Sequence, residues 1–300
     1  MDVSIIIVNF NTKELILPCI QSIYEKTISI NFEIIVVDNN SSDNSIELIT
    51  KTYPEVIMVK SKSNLGFGKA NNLGYKYSKG KYIFLLNPDT LLVNNAIEKL
   101  HGFLKNREEI AIVGGQLLNI EGQKVHSFSL FFPSIVGELN IMLWNIPFRV
   151  KNAFLKRDLE ENGYAFVSNI TGADMMLRRK DVEECGLFDP DFFMYFEETE
   201  LSYRFYRLGR LSAFIPSAEI IHLEGVSFSF KEERETRFFE GRRICYKKIH
   251  STFYIKIANI LYTSTCILAF LFSLLSLRKV KQKEWMRRLM IFKKVNSNEI

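Results

Sequence analysis

The chain has 300 residues, 47% hydrophobic and 24% charged, with a net charge of +5 from 39 basic and 34 acidic side chains. That supplies a sizeable core, argues against wholesale disorder, and is too mildly basic to point to nucleic acid. The four cysteines, Cys19, Cys185, Cys245 and Cys266, form no CxxC pair, which disfavours a disulfide framework or structural zinc and fits reduced thiols in a cytoplasmic compartment.

The first residues read as fold rather than as a signal peptide. "VSIIIV" (3–8) is a short β-branched run that predicts a buried strand, and Asn9 and Asn11 interrupt it before an h-region could form. Residues 12–26 carry helical periodicity through Leu15, Ile16, Cys19, Ile20 and Ile23. "FEIIVVD" (32–38) predicts a second strand, and a helix over 43–53 opens on Asp43 as its cap. "VIMVK" (56–60), a helix over 67–78, "KYIFLLN" (81–87), a helix from Asn95 and "IAIVGG" (110–115) continue the alternation. Strands apolar on both faces and separated by helices imply a doubly wound, mostly parallel α/β sheet flanked by helices. Residues 120–165 break the pattern. They are rich in aromatics, including Phe128, Phe131, Phe132, Trp144 and Phe148, and read as an insertion or lid near an acceptor site.

In such a sheet, ligands bind beyond the carboxyl ends of the strands. Every predicted strand end is polar here. Asp38, with Asn40 after it, could accept from a base or a ribose, or could cap the next helix. "NLGFGKANNLG" lets backbone approach a ligand at Gly66 and Gly68, but has neither the Walker A nor the GxGxxG spacing. Asp89 in "LLNPDT", with Asn87 beside it, could coordinate a divalent cation, although a plain Asx-type turn is the stronger reading of the motif alone. His222 closes "AEIIH", where a lone histidine is more often structural than a ligand. Gly172, Ala173 and Asp174 could admit a sugar or form a turn before a helix. Glu197, Glu198 and Glu200 suit the first turn of a helix by its macrodipole, and Glu200 and Arg204 are i,i+4 partners. A carboxylate set beside Phe192, Phe193 and Phe196 could equally be desolvated into a proton acceptor.

Taken in order, "IIIVNFN", "VVDNNSSDNS", "NLGFGKANNLG", "LLNPDT", "TGADMMLRR", "FFMYFEETELSYR" and "IIHLEGVS" resemble the family 2 glycosyltransferases. They come closest to the rhamnosyltransferase-like branch that works on bacterial surface polysaccharides, over about residues 3–250. The resemblance implies a GT-A fold over 1–230, with a nucleotide-sugar-binding half (1–118) and an acceptor-binding half (119–230). It implies inversion at the anomeric carbon, a nucleotide-diphosphate sugar donor, Mg²⁺ or Mn²⁺, and a saccharide or lipid-linked acceptor. By position, Asp38 would hold the nucleoside with Asn9, Asn11 and Asn40 nearby, and Asn64, Gly66, Gly68, Asn71 and Asn87 would line the donor site. Asp89 and His222 would bind the metal; Gly172, Ala173, Asp174 and Glu197 would face sugar or acceptor; Glu198 would be the base. Glu198 and Glu200 stand where the family usually has Asp. The longer arms of Glu198 and Glu200 motivate a second reading, a catalytically impaired homologue that binds a nucleotide sugar or a partner enzyme. A nucleotidyl-type enzyme using the same α/β site is a third.

Residues 258–277 hold no charge, enough for a membrane span of about 18–20 residues. Lysine and arginine are dense on both sides, which opposes a single span by the positive-inside tendency. "EWMRRLMIFKK" (284–294) is short, basic and amphipathic. The expectation is therefore a helical membrane-associating region over 231–300, monotopic on the cytoplasmic side of the cell membrane, with a true span as the alternative.

Overall fold

The computed structural model describes residues 1–143, 155–223 and 231–297. The first apolar runs become strands β1 (Val3–Asn9), β2 (Phe32–Asp38), β3 (Ile57–Lys60) and β4 (Tyr82–Leu86). Helices α1 (Lys13–Lys26), α2 (Ser45–Thr52) and α3 (Phe67–Tyr75) separate them. β1 pairs in parallel with β2 and with β4, and β2 with β3. Ile5, Ile6 and Ile7 are consecutive and all fully buried, as helices on both faces of a sheet require. Each such side chain contributes roughly 1.5–3 kcal/mol by burial. Asp43 does not occupy the cap position of α2. Asn44 stands there in a left-handed conformation. Asp43 instead accepts from the Ser45 N–H at 3.1 Å and from the Lys13 N–H at 2.8 Å, so one carboxylate ties the starts of α2 and α1 together.

The chain continues through β5 (Thr90–Leu92), α4 (Ala96–Lys105), β6 (Ile110–Leu118), β7 (Phe128–Ser129) and α5 (Ile135–Met142). Helical residues 155–162 (α6) precede β8 (Ala165–Val167), β9 (Asn169–Ile170) and β10 (Asp174–Arg178). Then come α7 (Arg179–Cys185), α8 (Glu197–Arg207) and β11 (Leu211–His222). The main sheet runs β3-β2-β1-β4-β10-β6-β11-β5, with β8 also paired to β11. β10 is antiparallel to both β4 and β6, so "TGADMMLRR" forms a central strand rather than only a turn before a helix. β6 and β11 are parallel, and β5 and β8 pair antiparallel to β11. In the 120–165 stretch, Phe128 meets Phe214 at 4.5 Å between ring centroids, and Phe132 meets Tyr203 and Tyr206 at 5.3 and 5.4 Å. Those aromatics pack onto β11 and α8. Trp144 and Phe148 lie outside the described residues, as do 224–230, the end of "IIHLEGVS".

Three helices follow: α9 (Lys231–Ile249), α10 (Thr252–Leu275) and α11 (Lys279–Ser297). Leu277 takes a positive φ of 53° at the turn between the last two. The Gln282 amide donates to the Ser273 carbonyl at 3.0 Å, and Tyr262 meets Phe292 at 4.5 Å, so α11 runs back alongside α10. Glu138 on α5 accepts from Arg242 at 2.7 Å and from Tyr246 at 2.6 Å, and Arg242 donates to Asn259 at 2.9 Å. This buried cluster knits α5, α9 and α10.

Arg178 closes the corner below α4. Its guanidinium donates to the carbonyls of Leu104, Arg107 and Ile110 and to Asp181 at 2.6–3.2 Å. Two of those carbonyls lie where α4 ends, groups a helix leaves without internal partners. Arg178→Met is expected to cost about 3–5 kcal/mol, because it leaves the buried Asp181 with only the longer Arg210 contact at 3.8 Å and takes the donors from three carbonyls. Arg157→Met, at an exposed ion pair, should cost under about 1 kcal/mol. Denaturant midpoints of the two variants check this.

Candidate active site

The carboxyl ends of β1 and β2 are joined by one buried network. Asn9 and Asp38 are register partners. The Asn9 amide points at Asp38 Oδ1 (3.0 Å), Ser41 Oγ (3.0 Å) and Ser45 Oγ (2.7 Å), and its Oδ1 accepts from Thr12 at 2.6 Å. Asn9 is fully buried, so it orients Asp38 instead of reaching a ligand. Asp38 Oδ2 accepts from the Ser41 N–H at 3.2 Å. Asn11 and Asn40 are exposed at the same end, both with positive φ, a conformation asparagine tolerates better than most residues.

Asn39, which sequence reasoning passed over for Asn40, holds the 64–66 loop. Its amide donates to Asn64 Oδ1 at 2.9 Å and to the Gly66 carbonyl at 3.2 Å, and its Oδ1 accepts from the Leu65 N–H at 2.8 Å. Gly66 has a φ of 78°, and a Cβ there would overlap the Phe193 carbonyl. That carbonyl accepts from the Phe67 N–H at 2.9 Å, so the 64–67 loop lies directly against the 192–198 segment. Gly68 faces the Phe188 side chain. Asn71 is buried and folded back onto the Phe67 carbonyl (3.0 Å), which takes it off the site wall. Its neighbour Asn72 makes the useful contact: its side chain donates to the Phe188 carbonyl at 2.7 Å and accepts from the Phe188 N–H at 3.0 Å. In both Asn-Asn pairs the sequence offers two candidates, and only the three-dimensional register chooses between them.

The turn after β4 meets the end of β11. His222 pairs with Thr90 across the antiparallel β11–β5 ladder. His222 Nε2 therefore lies 3.3 Å from Asp89 Oδ1 and 3.4 Å from Asn87 Nδ2. The Leu223 N–H donates to the Asp89 carbonyl at 2.9 Å. Among the described residues no cluster of three His, Cys, Asp or Glu side chains forms. Asp89 and His222, a carboxylate and an imidazole converging on one point, are of the residue types that would hold a divalent cation.

Gly172 lies against the Phe67 ring, and the Ala173 carbonyl accepts from the Asn87 N–H at 3.0 Å. Asp174 does not face this surface. It is fully buried within the sheet, where Oδ2 accepts from the Gly115 N–H at 2.6 Å and Oδ1 has no partner. Burial pushes its carboxyl well above the usual range, against that single hydrogen bond.

Two consecutive residues, Tyr195 and Phe196, enter α8 with φ of 68° each. Left-handed non-glycine residues cost about 1–3 kcal/mol apiece and persist where surroundings impose them. The turn sets three carboxylates in three environments. Glu197 is buried, and its Oε2 has no partner among the described residues, so it does not reach out to an acceptor; burial and the neighbouring Glu198 raise its carboxyl well above the usual range. Glu198 is only partly buried, and desolvation lifts it to about 7 against the backbone N–H groups of the helix start. Glu200 bonds Arg204 Nε through both oxygens at 2.8 and 2.9 Å. Arg204 in turn donates to the carbonyls of Cys185, Gly186 and Leu187. Glu200 is thus a structural residue that anchors the segment before the loop.

Residues 4–186 match the profile of "Glycosyl transferase family 2". The chain is 26% identical over 205 residues, 63% of its length, to an N-acetylglucosaminyl-diphospho-decaprenol L-rhamnosyltransferase of Mycobacterium tuberculosis. It is 29% identical over 207 residues, 68% of its length, to the low-salt glycan biosynthesis hexosyltransferase Agl10 of Haloferax volcanii. These matches span 66% and 61% of the relatives' own lengths, just under two thirds of each. The fold is shared with a mannosyltransferase of Pyrobaculum calidifontis solved with GDP-Man and Mn²⁺, at a TM-score of 0.58 and 14% identity over 99% of this chain and 88% of that one. The profile and the GT-A fold agree: the chain belongs to glycosyl transferase family 2.

Proposed function

We propose that the enzyme transfers rhamnose or a related sugar, with inversion, from a nucleotide-diphosphate donor to a surface-polysaccharide or lipid-linked saccharide acceptor. The observation that carries this reading is the place of Glu198: a partly exposed carboxylate at the start of α8, on the segment whose Phe193 carbonyl closes on Gly66, with desolvation raising its carboxyl toward neutral pH. A general base works best with a pKa near the working pH. Glu198 takes the proton from an acceptor hydroxyl as its oxygen attacks the anomeric carbon opposite the departing diphosphate. Asp38, oriented by Asn9, receives the nucleoside. Asp89 and His222 would hold Mg²⁺ or Mn²⁺, which when bound offsets the charge of the leaving diphosphate. The names of the Mycobacterium and Haloferax relatives support the sugar and acceptor classes. Glu200's length is accounted for by its contact with Arg204, which removes one motive for reading the protein as an impaired homologue.

Attachment to the cytoplasmic face of the membrane belongs to the same proposal. α10 is apolar enough to enter a bilayer, with a hydropathy of 1.8, and Leu275 and Leu277 at the turn are each 85% exposed. α11 lies alongside with Lys279, Lys281, Lys283, Arg287 and Arg288, charges that a spanning α10 would draw into hydrocarbon. An interfacial hairpin keeps them at the headgroups.

Glu198→Gln is expected to lower transfer by about 10²–10⁴-fold while nucleotide-sugar binding survives; normal turnover would refute the base assignment. Because the base acts ionised, the wild-type rate should rise with pH through about 7 and be lost below it, as a pH–rate profile would show. Asp89→Asn should weaken nucleoside-diphosphate binding in Mn²⁺ but not in chelator, measured by calorimetry. The product should be nucleoside diphosphate; pyrophosphate would favour nucleotidyl transfer. Leu275→Asp with Leu277→Asp should release the protein from anionic vesicles in a flotation assay.

A further inference from the structure

The family profile ends at residue 186, before the loop that carries the base. What holds that loop comes from α9. We propose that α9 is a strap that positions the base, and that Gly241 is the residue that allows it to seat. The proposal rests on Glu198 being the base.

One face of α9 touches the loop turn after turn. Arg237 stacks over the Phe193 ring at 4.4 Å. Phe238 meets the rings of Tyr195 and Phe196 at 6.1 and 5.1 Å. Gly241 lies against backbone: a Cβ there would overlap the Tyr195 carbonyl and come within 3.0 Å of the Met194 carbonyl. Cys245 is fully buried one turn on. Lys248 bridges Asp189 at 2.8 Å and Asp191 at 2.7 Å. Positions 237/238, 241, 245 and 248 recur at intervals of three and four, which places them on one stripe of the helix. The stripe therefore covers the segment from 189 to 196, including both left-handed residues that set the direction of α8 and Glu198.

A glycine inside a 19-residue helix is a poor helix former, and here its value is the missing side chain. Adding one methyl must move either α9 or the Met194–Tyr195 backbone. A general base works over a few tenths of an ångström, so that movement reaches the chemistry without touching Asp38, Asp89 or His222. Lys248 secures the other end of the same contact. Both are positioning residues, acting through the loop.

The test is steady-state kinetics with donor binding measured separately. Gly241→Ala is expected to lower kcat by about 10–100-fold, with donor Kd within about twofold of wild type. Lys248→Met, on the surface and tolerant of folding, should lower kcat in the same way with donor Kd held, and Lys248→Arg should restore it. A role in stability alone predicts lower melting temperatures with kcat per folded molecule unchanged, and that result overturns the proposal. If Gly241→Ala does not fold, the Lys248 pair decides by the same criterion. Glu198→Gln run in parallel separates the two readings. An inactive Glu198→Gln beside a fully active Lys248→Met refutes the strap alone. An active Glu198→Gln refutes the base assignment and the strap with it.

Discussion

Carboxylates at the edge of an apolar sheet are costly unless something answers their charge, and this chain answers each one differently. Asp38 receives the Asn9 amide and a backbone N–H. Glu200 is matched by Arg204, and Glu138 by Arg242 and Tyr246. Asp174 has a single donor and full burial, and Glu197 has a buried oxygen with no partner, so both are held toward the protonated form. Glu198 keeps part of its surface in water and stays near the point where either form is accessible. The proposed chemistry falls to the acid of this set whose carboxyl is raised while it stays open to water.

The same logic explains why the loop before α8 is strained. A relaxed entry would not carry Tyr195 and Phe196 through the left-handed region. The Gly66 loop closes on the Phe193 carbonyl from one side and α9 closes on the Met194 and Tyr195 carbonyls from the other. The donor loop is in turn held by Asn39, whose own N–H donates to the Asn9 carbonyl at 2.8 Å. A chain of short polar contacts thus runs from the Asn9–Asp38 end of the sheet to the segment that leads into Glu198, through the buried Asn39 side chain and the Phe67 and Phe193 backbone.

Much of this was legible in the sequence. β1 to β4 and β6 follow from apolar runs, because burial on both faces writes itself as continuous hydrophobicity. The polar strand ends at Asp38 and Asp89 were visible for the complementary reason. β10 was not: Asp174–Arg178 holds three apolar residues, none β-branched, between an acid and an arginine, and only pairing to β4 and β6 makes them a strand. Asp174 therefore looked like a surface group. Asn39 and Asn72 were hidden beside equally plausible neighbours, since composition cannot say which of two adjacent amides turns toward a loop. Nor could periodicity show that Asp43 would serve two helices, because Lys13 is thirty residues away. Glu200 was readable as a partner of Arg204 from i,i+4 spacing alone, and that contact is present.

β10 comes from the second half of the chain but is hydrogen-bonded between two strands of the first, β4 and β6. The sheet is thereby stitched across any boundary that could be drawn near residue 118. Enzymes that bind a ligand between two lobes commonly bend about a few connecting residues. Here such bending would have to break a strand ladder in the middle of the core. A hinge between the two halves would cost that ladder, which leaves the loops at the strand ends as the parts free to move over a continuous sheet.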